Sequence, residues 1–539
     1  MTALYTNGRV FTADARRWAT AIVVRDGRIA YVGDDDTARR IAGADPAHRA
    51  VDVVDLGGAT VLPGFVDGHA HVIGTGEAAA QVDLWGADSL DEIQRRIRAF
   101  AEAHPDAPRI RAQGWQHAAV GGRPRRELLD AVVADRPVYA DAYDFHSIWL
   151  NTAALDETGI GDDTADPAGG MIHRDADGRA TGLVDETAMH LLVRPVLAGF
   201  TTADDLDAAL ASALRGYAAA GVTATTDMGL DDDDLAAMVR AERAGVLTAR
   251  IAGHWLVQPT GDETRNLAEV ARAVELASAH ASEWLRVVGV KVMIDGTVDG
   301  CTAAVGHPYS DGSDPDPIWS LDELAPVVAA ADAAGLRIAM HAIGDEAVRI
   351  AISAVEHAIA MNGPRHRRHR IEHLEVVERA DIDRLAALGI TASMQPVHAD
   401  PAIQENWRAM LGDERVERGF PWPEMTDAGA PLVFGTDSPT SPYAPLPNMF
   451  VAATRRSALD PALPPNVPAY ALPLVSAVEH ATRDAAWACG AEESYGRIAA
   501  GLHADFIVLD RDVFGSAPDE LLGARVIRTV VGGRTVHEA

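Results

Sequence analysis

Short alternating runs of apolar residues open the chain. Ala21-Ile22-Val23-Val24 and Ile29-Ala30-Tyr31-Val32-Gly33 flank Asp26-Gly27, a pair suited to a hairpin turn. The far end has the same texture. Ala504-Asp505-Phe506-Ile507-Val508-Leu509 and Val526-Ile527-Arg528-Thr529-Val530-Val531 precede Gly532-Gly533 and a last short run. The pattern predicts one small β-sandwich built from both termini, with 1–60 and 491–539 as its two parts.

Between the ends the hydrophobic period lengthens. Ser320 and Glu323 form a capping box, and the helix they start should stop at Gly335. A buried-strand run follows, 336–340. Val348, Ile352, Val355 and Ile359 then mark an amphipathic helix. Repeated strand–helix units predict a parallel sheet, and eight of them close into a barrel whose chemistry sits at the strand C-terminal ends. The strands read as 60–66, 222–226, 250–256, 288–294, 336–340, 370–371, 390–394 and 431–434. The α/β core is therefore a (β/α)8 barrel that starts at 61–84 and occupies 206–490. Residues 85–205 are left as an insertion between barrel strands 1 and 2, with a strand at 137–140 and turns at Gly169-Gly170 and Asp177-Gly178. An insertion on that face should overhang the site as a lid or pocket wall. The runs Asp231 to Asp234, and Asp204-Asp205 after Thr202, read as helix starts.

Charge and composition narrow the function. The chain carries 79 acidic against 47 basic residues, a formal net charge of −32. No basic face is available for phosphates, so nucleic acid is not an expected partner. No run of about 18 apolar residues exists, which excludes a transmembrane helix. Met1-Thr2-Ala3-Leu4-Tyr5 has neither the basic nor the apolar region of a signal peptide, so a cytoplasmic protein is expected, with a homodimer as the default assembly. Two cysteines among 539 residues rule out a disulfide framework or thiolate zinc site, so the 20 histidines are where to seek a metal.

His69-Ala70-His71 follows strand 1. In extended backbone, residues two apart point the same way, so both imidazoles can reach one ion. His341 ends strand 5, His373 ends strand 6, and Asp437 follows strand 8 in Gly435-Thr436-Asp437-Ser438-Pro439. Singly, these fit loop or structural histidines and a capping aspartate. Together they place five ionisable groups on the catalytic face. Lys291 lies inside strand 4 among Val288, Val290, Val292 and Ile294. Burial favours its neutral amine, which can add carbon dioxide and bridge two metals as a carbamate. A lysine that snorkels, or pairs with Asp295, fits the same position.

The motifs run from end to end: Leu62-Pro63-Gly64-Phe65-Val66-Asp67-Gly68-His69-Ala70-His71, Gly221-Val222-Thr223 to Asp227-Met228-Gly229, and Lys291 to Asp295-Gly296. His341-Ala342-Ile343-Gly344-Asp345, Arg370-Ile371-Glu372-His373, Met394-Gln395-Pro396, Gly435-Thr436-Asp437 and Gly496-Arg497-Ile498 continue them. This set resembles the metal-dependent amidohydrolase superfamily, and more closely its family 3 branch, which includes N-substituted formamide deformylases. The resemblance implies a distorted TIM (β/α)8 barrel, the terminal β-sandwich, and a divalent metal centre of one or two ions, usually zinc. It implies His69, His71, His341, His373 and Asp437 as ligands, Lys291 as a carboxylated bridge, and Asp437 also as proton shuttle. One departure stands out: Cys301 occupies the place where relatives carry arginine, so either the pocket takes a different substrate group or this loop varies freely.

The chemistry expected is metal-assisted hydrolysis of an amide or formamide carbon–nitrogen bond. Single-metal deamination of a ring amine is the alternative, and a non-catalytic binding protein a third. Glu372 and Asp67 are adjacent enough to orient ligand imidazoles. Asp295, Cys301, Trp115, His146, Gln395 and His398 are candidates to contact substrate.

Overall fold

The computed structural model describes residues 2–44, 51–121, 123–167 and 169–539. Eight parallel strands form a nearly closed barrel in chain order: β1 (Phe65–Ala70), β2 (Val222–Leu230), β3 (Arg250–Leu256), β4 (Leu285–Met293), β5 (Arg337–Ala342), β6 (Arg370–His373), β7 (Thr391–Met394) and β8 (Leu432–Phe434). The predicted helices pack outside. Leu321–Ala333 begins where Ser320 accepts the Glu323 N–H, and the chain turns at Gly335 with φ 78°. Asp345–Asn362 buries Val348, Ile352 and Val355 against the sheet.

The seam between β8 and β1 matters for function. Asp437 N–H donates to the His69 carbonyl at 2.7 Å, and His71 N–H to the Ser438 carbonyl at 2.8 Å. The two chains approach so closely that a Cβ on Gly435 would lie 2.4 Å from His69 N. Glycine is therefore required here, and the backbone itself fixes Asp437 beside both histidines.

The expected first strand, 60–66, is two strands. Thr60–Pro63 pairs with Phe506–Leu509 and Arg9–Phe11 in the terminal sheet, while Phe65–Ala70 enters the barrel. One apolar run crosses between domains at Gly64, and hydrophobicity alone does not register the change of sheet. The barrel strand also runs on through His69, so that side chain projects from the strand and not from the loop beyond it.

Both termini build the sandwich. One sheet holds Arg28–Gly33, Ala21–Arg25, Thr2–Thr6 and Val51–Asp55. The other holds Arg534–Glu538, Val526–Val531, Phe506–Leu509, Thr60–Pro63, Arg9–Phe11 and Trp18–Ala19. Tyr5, Ile22, Val61 and Phe506 pack in a shared core.

Between β1 and β2 lies a second, six-stranded sheet that begins at Val82–Asp83 and ends at Ala180–Asp185. Its own core includes Ile93, Ile97, Trp115 and Trp149. Among the described residues, no helix is long and apolar enough to cross a membrane.

Candidate metal centre and its cavity

His69, His71, Lys291, His341, His373 and Asp437 come from five different barrel strands or their ends, and all line one cavity of about 390 Å³. The Asp437 carboxylate is its hub. One oxygen lies 3.2 Å from His69 Nε2 and 3.4 Å from His71 Nε2; the other lies 3.8 Å from a ring nitrogen of His373 and of His398. Two groups of donor atoms result, His69–His71–Asp437 and His373–His398–Asp437, each within 4.8 Å. His341 stacks edge-on to His373 with ring centres 4.4 Å apart, and its Nε2 faces the Gly296 carbonyl at 3.1 Å.

A buried chain of charge holds the centre. His69 Nδ1 meets Glu372 at 2.7 Å, and Arg370 clamps the same carboxylate at 2.5 and 3.0 Å, with all three side chains almost wholly buried. Residues 370 and 372 share a strand face, which places them side by side. Because Nδ1 is committed to Glu372, His69 can offer only Nε2 to the cavity. That nitrogen is buried and lacks a hydrogen-bond partner. An orphaned buried imidazole nitrogen facing a carboxylate and a second imidazole is a donor set that suits a divalent ion such as zinc.

The electrostatics agree. Burial holds His341 and His373 well below the usual imidazole range, in the neutral form a metal ligand needs. Burial opposes ionisation of Asp437, yet His69 and its neighbours keep the carboxyl well below its ordinary value. Glu372, also opposed by burial, is held low by Arg370 and His69. Lys291 is pushed down to about 8 by burial, against Glu372 and Asp437.

Replacing Glu372 with glutamine strands the Arg370 guanidinium in a dry interior. We expect a loss of about 3–5 kcal/mol in urea denaturation and about 10–100-fold weaker metal retention in chelator titrations. Wild-type values in both would show that this chain holds nothing in place.

Several expected roles move. Asp295 does not pair with Lys291. It is fully buried, accepts the N–H groups of Ala304, Ile343 and Gly344, and braces the loop after β5. Burial pushes it up to about 8. Asp67 orients no imidazole: it accepts Thr436 N–H at 2.9 Å and Thr436 Oγ1–H at 2.5 Å, tying β1 to β8. Trp115 is not at the site. Its indole fills the core of the inserted sheet, and Nε1–H donates to the Ala140 carbonyl. Cys301 is half-buried in a turn outside the cavity wall, its thiol pushed up to about 12 by burial.

Others do reach the site. Gln395 Oε1 meets His373 Nδ1 at 2.9 Å. His398 stands opposite Asp437, and His146 reaches in from the insertion with its Nδ1 on Glu186 at 2.9 Å. Phe145, His190 and Arg194 join it, so the insertion forms a cavity wall. Asp231 caps the helix Asp232–Arg243, as its sequence suggests, while Asp233 and Asp234 also rim the cavity.

A smaller chamber of about 40 Å³ adjoins His341, His373 and Asp437. Asp144, Asp299, Glu375, Gln404 and Trp407 lie in its wall, and no local motif marks them. They come from loops after three different strands and from the start of the helix Glu405–Leu411, and only the fold brings them together.

The model of the amidohydrolase family matches residues 52–537. The chain is 29% identical to N-substituted formamide deformylase of Arthrobacter pascens, over 99% of this chain and 97% of that one. It is 30% identical to the protein LONG AFTER FAR-RED 3 of Arabidopsis thaliana, over 99% and 91%. Among solved structures, an uncharacterized metal-dependent hydrolase of Pyrococcus horikoshii OT3 superposes with a TM-score of 0.76 at 25% identity, covering 96% of this chain and 99% of that one.

Proposed function

The chain belongs to the amidohydrolase family, and from that premise we propose that it hydrolyses a non-peptide carbon–nitrogen bond, an amide or N-substituted formamide of a small molecule. The observation that carries this reading is the convergence of six candidate ligands on one cavity, with the His69 Nε2 buried and unpartnered among them. The deformylase of Arthrobacter pascens supports the choice of bond.

His69, His71, His341, His373 and Asp437 would hold the metal, zinc by its preference for imidazole and carboxylate, and Lys291 would join them as a carbamate. The bound ion supplies Lewis-acid polarisation of the carbonyl and a water acidified towards neutrality. The chain supplies the rest. Asp437, ionised and facing the cavity, takes a proton from the attacking water and delivers it to the leaving nitrogen as the carbon–nitrogen bond breaks. Gln395 and Glu372 hold His373 and His69 in single orientations. The insertion closes the cavity side and limits the water that enters.

The test is metal analysis followed by a screen of N-formyl, N-acetyl and aryl-amide substrates with the metal-loaded protein. Two ions per chain, with formate or acetate released in step with free amine, is the expected result. One ion, an unmodified Lys291 and ammonia released from a ring amine would replace the proposal with a deaminase. No turnover of any amide, ester or amine would overturn both.

A further inference from the structure

The small chamber beside the centre gathers three buried carboxyl groups, with no lysine or arginine among the described residues of its wall. Asp144, Asp299 and Glu375 are each more than nine-tenths buried. Among the described residues, no lysine or arginine forms a salt bridge with any of them. Asp144 accepts the His146 backbone N–H and the Thr297 hydroxyl, Asp299 hydrogen-bonds Tyr143, and Glu375 Oε2 accepts from Trp407 Nε1. The basic groups beside them are imidazoles: His398, 3.6 Å from Glu375, and His146, held up to about 9 against burial by Glu186 and Asp144. Burial, with Asp144 and Glu375 close by, holds Asp299 well above the usual carboxylate range. Buried acids of this kind are normally paired, because an isolated charge away from water is costly.

A second observation is independent of the acids. Gln404, 3% exposed, lines the same chamber with its Oε1 buried and without a partner, while its Nε2–H donates to the His398 carbonyl. The wall thus presents an unused neutral acceptor beside carboxyl groups that no lysine or arginine among the described residues pairs. What it lacks is a donor-rich cation. Tyr143 and Trp407 supply aromatic walls, which also favour cations over neutral groups. The volume, about 40 Å³, holds on the order of two or three water molecules, so it suits a small head group and excludes an aryl ring. The chain's charge of −32 draws cations and opposes anions.

We propose that this chamber is a specificity subsite for a guanidinium or ammonium group carried by the substrate, placed beside the scissile amide. Asp144, Asp299 and Glu375 take its charge, and Gln404 takes one of its N–H groups. The substrate class is therefore an N-acyl or N-formyl amine bearing a second, cationic end. This rests on the hydrolytic reading for the scissile bond, but not for the binding of the cation.

The test separates the two. Calorimetry on the metal-loaded protein compares butylguanidinium with its neutral isostere butylurea, neither of which is a good metal ligand. At least tenfold tighter binding of the cation is expected, and Asp299→Asn with Glu375→Gln should abolish that preference. In parallel, the formamide of 4-guanidinobutylamine is compared with that of 4-ureidobutylamine. The ratio of their kcat/KM values should favour the cation at least tenfold and fall towards one in the same variants. Equal binding of cation and isostere, or a preference untouched by both substitutions, overturns the subsite. A cation preference without turnover of either formamide leaves the subsite standing and counts only against a formamide as the scissile bond. Thermal unfolding confirms that each variant is folded.

Discussion

Alanine at both His69 and His71 strips the protein of bound metal and of hydrolysis together. The expectation follows from how each imidazole is held. His69 is 1% exposed, fixed through Nδ1 to Glu372 and aimed by Nε2 at Asp437. His71 is a third exposed, but its Nε2 reaches the same carboxylate oxygen. Without them, Asp437 loses both neighbours on one side, and the first donor group no longer exists. A water that is no longer acidified has an ionisation constant many orders of magnitude less favourable. We expect kcat/KM to fall by at least about 10^4-fold, with metal content by mass spectrometry falling in parallel. The fold should survive, because the Arg370–Glu372 pair keeps its partners within β6 and to Gly68 and Ser393. Circular dichroism checks that point. A double variant that keeps its metal, or that loses the metal and still hydrolyses amides, would remove the foundation of the proposed function.

The barrel was legible because each strand is a short apolar run ending in a polar break, and its α-helices carry caps such as Ser320 and Asp231. The candidate ligands were legible for the same reason. A histidine or aspartate at the end of an apolar run lies at the strand's C-terminal end, and parallel topology gathers such ends on one face. Lys291 stood out because it interrupts an apolar run, and it is indeed buried.

What could not be read depends on contacts that no local pattern encodes. The change of sheet at Gly64 is hidden inside one hydrophobic run. Trp115 in the insertion reads more often as packing than as a pocket residue, and the inserted sheet's own core confirms the packing. Cys301 departs from the arginine of relatives, yet it lies outside the wall of either cavity, although its neighbours Thr297 and Asp299 line the smaller one. Asp144, Asp299 and Glu375 lie in loops after three different strands, and each alone resembles a turn residue. Their significance arises from meeting without a lysine or arginine partner, which is a property of the assembled fold. The Arg370–Glu372 pair was half visible, since two residues apart on a strand means one face, but its reach to His69 spans 303 positions.

Asp437→Asn is the sharper test of chemistry, because asparagine keeps the shape and removes the charge. The carboxylate touches His69, His71, His373 and His398 within 3.8 Å, and its neighbours hold it ionised despite burial. Among the described residues, no other carboxylate pairs with both His69 and His71. Asparagine can accept a hydrogen bond from the water but cannot carry its proton to the leaving nitrogen. Loss of general acid–base transfer of this kind costs about 10^2–10^4-fold. It should appear in kcat with KM little changed, since the interaction is made in the transition state. Metal content distinguishes proton carrier from ligand. If at least one ion stays bound while kcat collapses, Asp437 moves the proton. If the ions leave with the activity, it acts first as a ligand, and the proton transfer must be reassigned to another cavity group, with His398 and His146 the nearest candidates by position. If kcat stays within tenfold of wild type with the metal in place, Asp437 has no essential part in the chemistry.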